Sequence, residues 1–344
     1  MKRIVLSEPG KFSVTDAPVP DIKGDEDVLI RVSAVGICGS DMHYFRTGRI
    51  GDQIISYPFT PGHECAGVVE KAGAGVQRVQ PGDRIAIDPA ISCGTCDQCR
   101  EGREHTCRNL VFMGNPAEKE GGLQEYIVMP ERCCFKLPEN VSVRDGIIVE
   151  PLTIALHAVG FDRDPGNIAI LGFGPIGISI SQVLRFQYPG ARICVTDKID
   201  DRLERAGKLG AEWTGNPVRQ DVVEAMIRLY PLGFDTVYEC CGQQEAIDQA
   251  VKLLKPGGQL IIVGIPEADD LVFDAHLIRR KEITIQNVRR QNGRFEQALE
   301  LLQARRLDPD DLITHTYKPD QIQQAFDLVA GYRDGVIKAV IDFD

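Results

Sequence analysis

Two kinds of hydrophobic spacing divide this chain. From Met1 to about Glu150 the apolar positions fall in short alternating runs, DVLIRVSAVG (27–36), CAGVVEKAG (65–73), DRIAID (83–88) and LQEYIVM (123–129), broken by Gly and Pro. Such period-2 runs predict half-buried strands, and a succession of them predicts an all-β barrel or sandwich. PGD at 81–83 and NP at 115–116 read as its turns. From about Thr153 the spacing changes: a helical stretch, TIALHAVG, leads into NIAILGFG, a β-branched buried strand entering a glycine turn. Strands are then predicted over 168–172, 192–197, 235–240, 259–264 and 282–287, with a weaker one near Glu212–Gly215, and helices between them. That alternation is the sequence form of a parallel doubly wound sheet, an α/β fold. A helical segment over 293–307 follows, and the end reads as a helix and a last strand, KAVIDF.

A length of 344 residues suggests two domains with a cleft between them. No apolar run approaches the ~18 residues of a membrane helix, and Met1 to Phe12 has no apolar stretch of signal-peptide length. The expectation is a cytoplasmic protein with no membrane partner. With 50 acidic against 39 basic residues, the net charge of −11 opposes nucleic-acid binding. The 11 cysteines are an odd number and cannot all pair within the chain. Those without a motif, including the neighbours Cys133-Cys134 and Cys240-Cys241, read as small buried apolar residues of a reducing compartment.

Four cysteines do have a motif. Cys93, Cys96, Cys99 and Cys107 lie within CGTCDQCREGREHTC, a run with almost nothing apolar to bury. Four thiolates at this spacing close a tetrahedral zinc shell, and a filled shell makes that zinc structural. Free or disulfide-bonded thiols are the alternative for the same residues.

Gly172, Gly174 and Gly177 form G-x-G-x-x-G (GFGPIG, with Pro175 and Ile176) where a strand enters a helix. The first glycine makes the turn, the second admits pyrophosphate, and the third packs helix on strand, so that phosphates meet the helix N-terminus. Asp197, ending the next strand, stands where an acid accepts ribose hydroxyls and repels a 2′-phosphate, which favours NAD over NADP. Lys198 and Arg202 nearby are the residues able to face a phosphate instead.

The first region also carries GICGSDMHYF, with Cys38, Ser40, Asp41, His43 and Tyr44, and PGHECAGVVE, with His63 and Glu64. Spacing alone does not single these out as ligands. The ordered set CGSDMHY, PGHE, the four-cysteine loop, VEPLTIALHA, GFGPIG and VTD, however, resembles the zinc-dependent medium-chain dehydrogenases, and within them the sorbitol or polyol dehydrogenase branch. The resemblance runs from about Lys2 to Phe343. It implies a GroES-like β-barrel catalytic domain (1–153, completed by 289–344) and a Rossmann NAD-binding domain (154–288). It also implies two zinc ions per chain, one catalytic and one structural, and a homo-dimer or homo-tetramer, with EITIQN (282–287) as an edge available for contact.

By the same resemblance, Cys38 and His63 are ligands of the catalytic zinc. Glu150 stands where the alcohol dehydrogenase branch has a second cysteine ligand, and either Glu64 or Glu150 completes the shell. The resemblance makes Ser40 the hydroxyl relay, with His43 passing the proton outward. It adds Arg202 and Val263 to the cofactor contacts and Tyr44, Glu150 and Arg289 to the substrate contacts. The implied reaction is oxidation of a secondary hydroxyl of a polyol to a ketose with NAD. The basic cluster Arg279, Arg280, Lys281, Arg289, Arg290 and Arg294 reads either as a solvated face or as a seat for the carboxylate of a sugar acid such as idonate. Threonine dehydrogenase is the other enzymatic alternative, and a non-catalytic zinc and nucleotide-binding protein is the alternative of another class. His105, His157, His276 and His315 read as structural.

Overall fold

The computed structural model describes all 344 residues. It divides into two compact units, Met1–Thr153 with Asn292–Asp344, and Ile154–Gln291.

The first unit is built on a seven-stranded sheet. Its path runs Cys134–Lys136, Arg84–Ile87, Glu64–Ala72, Asp27–Gly36, Lys338–Asp342 and Ile313–Tyr317, with Tyr126–Pro130 also pairing with Asp27–Gly36. The alternating runs become these strands because one face of each buries its apolar side chains: Val28, Ile30, Val32, Val69, Ile85, Ile87, Ile127 and Met129 join one core. The chain's end closes the sheet. Lys338–Asp342 pairs antiparallel with Asp27–Gly36, with Val340 opposite Gly36. The strand Ile313–Tyr317, absent from the sequence expectation, lies parallel to it. Its ITHTY run is short and half polar, as suits an outer strand, so it carries little periodic signal.

The second unit holds a six-stranded parallel sheet of Asn167–Leu171, Arg192–Thr196, Trp213–Gly215, Phe234–Glu239, Leu254–Ile262 and Thr284–Asn287. Their spatial order is third, second, first, fourth, fifth, sixth. That is the doubly wound order, with its switch point between the first strand and the fourth. The weak strand near Glu212 is real and lies on one edge; Thr284–Asn287 lies on the other. The fifth strand begins earlier than its apolar core suggests, because LKPGG extends it with a register shift.

The helix expected from Thr153 starts earlier, at Val149, and runs to Val159. Pro151 falls in its first turn, where a missing N–H costs no hydrogen bond. Glu150 is therefore a first-turn residue of a helix, and it is buried. No helix is long and apolar enough to cross a membrane.

Candidate active site

In the first unit, Cys38, His63 and Glu64 are brought together: one ligand atom of each lies within 4.8 Å of the others. The sheet explains the meeting. Gly36 pairs with Glu64 on one side and Val340 on the other. Continuing that register by two residues sets Lys338 opposite Cys38, and side chains two apart on a strand share a face. Gly36, Cys38, Glu64 and Lys338 thus crowd one surface. A Cβ on Gly36 would stand 2.3 Å from Glu64 Oε2, so only glycine leaves room for this carboxylate.

Cys38 caps the helix Gly39–Thr47, whose first turn carries Ser40 and Asp41. Asp41 Oδ2 accepts from the Cys38 N–H at 2.9 Å, while Oδ1 faces His63 Nδ1 at 3.7 Å. A carboxylate on that side fixes the ring, leaving Nε2 for a metal. Ser40 Oγ lies 3.5 Å from His63 Nε2, which places a hydroxyl beside the ligand trio. The His63 ring also packs on Phe112, with centroids 5.6 Å apart.

The charges are closely coupled. Loss of water pushes the Cys38 thiol well above its ordinary value, and the Glu64 charge adds to this. Burial pushes Glu150 up to about 7, opposed by His63 and reinforced by Glu64. Burial likewise raises Asp41, with His63 opposing. So many acidic groups out of water call for a cation. One is built in: Lys338 Nζ donates to Glu64 Oε2 at 2.5 Å, both side chains 1% exposed. A divalent metal among Cys38, His63 and the carboxylates would supply the rest, and a thiolate–imidazole–carboxylate set is a fit for zinc.

Sequence reasoning missed Lys338 altogether and gave Asp41 no task. Lys338 carries no local signal, being one lysine in an apolar strand. Asp41 had a faint one, since an acid three residues after a helix cap is a capping signature.

The remaining predicted residues are placed as follows. His43 is half-buried, three residues beyond Ser40 and so on the same side of the helix. Tyr44 is packed in the core, its hydroxyl 3.5 Å from Gln53 Oε1 and Asn115 Oδ1. Arg289 is exposed in the second unit. The basic cluster is split: Arg279 and Arg280 are exposed, whereas Lys281 Nζ donates to the carbonyls of Val251, Lys252 and Leu254 at the end of the helix Gln244–Leu253.

The four cysteines converge on their own loop. Their sulfurs lie 4.0 Å (Cys93–Cys99), 3.5 Å (Cys96–Cys99) and 3.9 Å (Cys96–Cys107) apart, near the ~3.8 Å edge of a tetrahedral zinc–thiolate shell. The backbone N–H and the hydroxyl of Thr95 hold the Cys93 thiol down to about 5, which favours the thiolate. Arg108 clips the loop through Asp97, with Nε and Nη2 donating at 2.6 and 2.7 Å.

In the second unit Gly172 (φ 95°) turns the chain out of the first strand, and the helix Pro175–Gln187 begins at once. A Cβ on Gly177 would stand 2.2 Å from Gly172 O, so helix and strand meet as the motif requires. Asp197 is buried; its Oδ2 accepts from Phe173 N at 2.6 Å and its Oδ1 from Ile199 N at 2.8 Å. Arg202 Nη1 is 3.7 Å from Asp197 Oδ2, and Lys198 pairs with Glu245 at 3.0 Å. The Gly172 and Phe173 N–H groups are taken up by Thr196 O and Asp197, and the start of the helix Pro175–Gln187 that follows this glycine turn fits a dinucleotide pyrophosphate.

Residues 24–139 match the Alcohol dehydrogenase GroES-like domain, and residues 175–304 match the Zinc-binding dehydrogenase domain. The chain is 34% identical over 344 residues to sorbitol dehydrogenase of Bacillus subtilis, covering 99% of this chain and 97% of that one. The galactitol-1-phosphate dehydrogenase of Escherichia coli superposes with a TM-score of 0.90 at 29% identity, covering all of both chains. The NADH complex of a short chain alcohol dehydrogenase from Escherichia coli CFT073 does so with a TM-score of 0.90 at 29% identity, covering 100% of this chain and 99% of that one. The four-thiolate loop, the glycine turn and these full-length likenesses agree: the chain is a zinc- and NAD-type oxidoreductase and belongs to the zinc-dependent medium-chain dehydrogenases, on their polyol branch.

Proposed function

We propose that this enzyme oxidises a secondary hydroxyl of a polyol of the sorbitol, xylitol or galactitol class to a ketose, with NAD as the hydride acceptor. The observation that carries the reading is the Cys38–His63–Glu64 trio with Ser40 beside it and Glu150 charge-coupled to it. Zinc held there by Cys38, His63 and a carboxylate would supply Lewis acidity that makes a hydroxyl easier to deprotonate, and NAD held by the second unit would supply the hydride acceptor. Ser40 receives the substrate proton and His43, on the same side of the helix, carries it outward. Cys38 and His63 hold the catalytic metal, with Glu64 or Glu150 completing its shell. The four-cysteine loop holds a second, structural zinc.

Residues 1–153 with 289–344 are assigned the zinc chemistry and 154–288 the cofactor, with Gly172 to Gly177, Asp197, Arg202 and Val263 lining it. The buried Asp197 and the pairing of Lys198 with Glu245 support NAD over NADP. Tyr44 and Arg289 are proposed on the polyol. Eleven cysteines, all free, support a reducing compartment, the cytoplasm. The outer strand Thr284–Asn287 is an open edge that supports assembly into a homo-dimer or homo-tetramer.

The test is a panel of sorbitol, xylitol, galactitol, idonate and threonine with NAD and NADP, read at the NADH absorbance. Turnover is expected on a polyol with NAD. Activity confined to idonate or threonine would replace the substrate, and none on any of them would remove the reading.

A further inference from the structure

Glu239 is a buried charge that none of the preceding chemistry uses. It is the last residue of the fourth Rossmann strand and is 1% exposed. Oε1 accepts from the N–H groups of Cys241 at 2.8 Å and Gly242 at 2.6 Å. Its backbone oxygen accepts from Val263 at 2.8 Å and Gly264 at 3.0 Å. The Cys241 side chain also hydrogen-bonds to the carboxylate, while Oε2 is left without a hydrogen-bond partner. It is enclosed so tightly that a Cβ on Gly264 would stand 2.7 Å from it. A carboxylate that only accepts, with one oxygen left bare, is an expensive brace for a turn that a neutral amide could hold.

Its place in the sheet suggests what the charge does. Glu239 pairs in register with Leu171 on one side and Ile262 on the other. The turn it holds packs on the glycine motif, since a Cβ on Gly172 would lie 3.0 Å from Cys241 Cβ. Glu239 therefore sits at the carboxyl ends of the strands, just across the switch point from the Asp197 and Gly172 half. A dinucleotide lies across such a crevice with one nucleotide over each half. With the adenine ribose on Asp197 and the pyrophosphate on the glycine turn, the nicotinamide would fall over the half that Glu239 ends.

We infer that Glu239 is an electrostatic specificity residue that favours the oxidised, cationic nicotinamide over the reduced, neutral ring. The charge acts through a water-poor interior, where screening is weak. It thereby stabilises the cofactor form that enters alcohol oxidation and does nothing for the form that leaves. Repulsion of the pyrophosphate is common to both forms and cancels in their ratio. The inference rests on the dinucleotide reading of this unit.

The experiment measures the dissociation constants of NAD+, NADH and ADP-ribose for the zinc-loaded enzyme and for Glu239→Gln. NAD+ binding is expected to weaken about fivefold, with NADH and ADP-ribose changed by less than about twofold. Equal weakening of all three would make Glu239 a structural brace and overturn the inference, as would an unchanged ratio. Glu239→Met, similar in length and uncharged, gives the same readout if the amide variant does not fold. Failure of both to fold makes the carboxylate a folding requirement and equally overturns it. If the wild type binds none of the three ligands, the dinucleotide reading itself is what fails.

Discussion

The two candidate metal clusters of the first unit assemble their side chains in opposite ways. The four cysteines come from one 15-residue stretch whose side chains are mostly exposed or half-buried, and nothing apolar shapes it. Cys38, His63, Glu64 and Glu150 come from a helix cap, the start of a strand and the first turn of a distant helix, and apart from Cys38 they are buried. On the proposed reading, a metal in the loop would organise the chain, whereas at the buried site the sheet organises the side chains and a metal would answer a charge already assembled. A local site can thus lose its metal and lose its shape, whereas a dispersed site can lose its metal and keep it.

The sharpest way to break this contrast is Cys38→Ser. It is expected to remove one of two zinc ions per chain and to lower kcat/KM at least about a thousandfold, with Tm nearly unchanged. A variant that keeps two zincs and normal turnover would show that the metal is held elsewhere. Next in size is Lys338→Met, which strands the Glu64 carboxylate in the interior and should cost about 3–5 kcal/mol in denaturant unfolding. Wild-type stability would mean that the ion pair has no part in preparing the site. Cys96→Ser is the mirror experiment. It should lose the other zinc, open 93–107 to proteolysis and lower Tm by roughly 5 °C, while kcat stays within about threefold of wild type. A collapse of turnover with an intact loop would erase the distinction between the two sites.

Legibility in the sequence follows the same division. The cysteine quartet and the glycine turn are read directly, because all their atoms come from consecutive residues whose spacing sets the geometry. The doubly wound sheet is nearly as plain, down to the weak edge strand at Trp213–Gly215, since buried parallel strands announce themselves as continuous apolar runs. The candidate catalytic cluster was named through resemblance, as spacing by itself left Cys38 and His63 unremarkable. Lys338 and Glu239 escaped entirely. One is a lysine in the last strand and the other an acid ending a strand, and their burial and partners arise only when strands far apart in sequence are laid side by side.

The sequence by itself determined the pieces whose physics is local: alternation that makes half-buried strands, four thiols in reach of one ion, and glycines where a phosphate must approach a helix start. Only the tertiary structure decided what depends on pairing across distance. It set Lys338 against Glu64, Asp41 against His63, and Glu239 beneath the crevice at the switch point. The reason is that the energy of a buried charge depends on every neighbour within several ångströms, and those neighbours are chosen by strand register rather than by position in the chain.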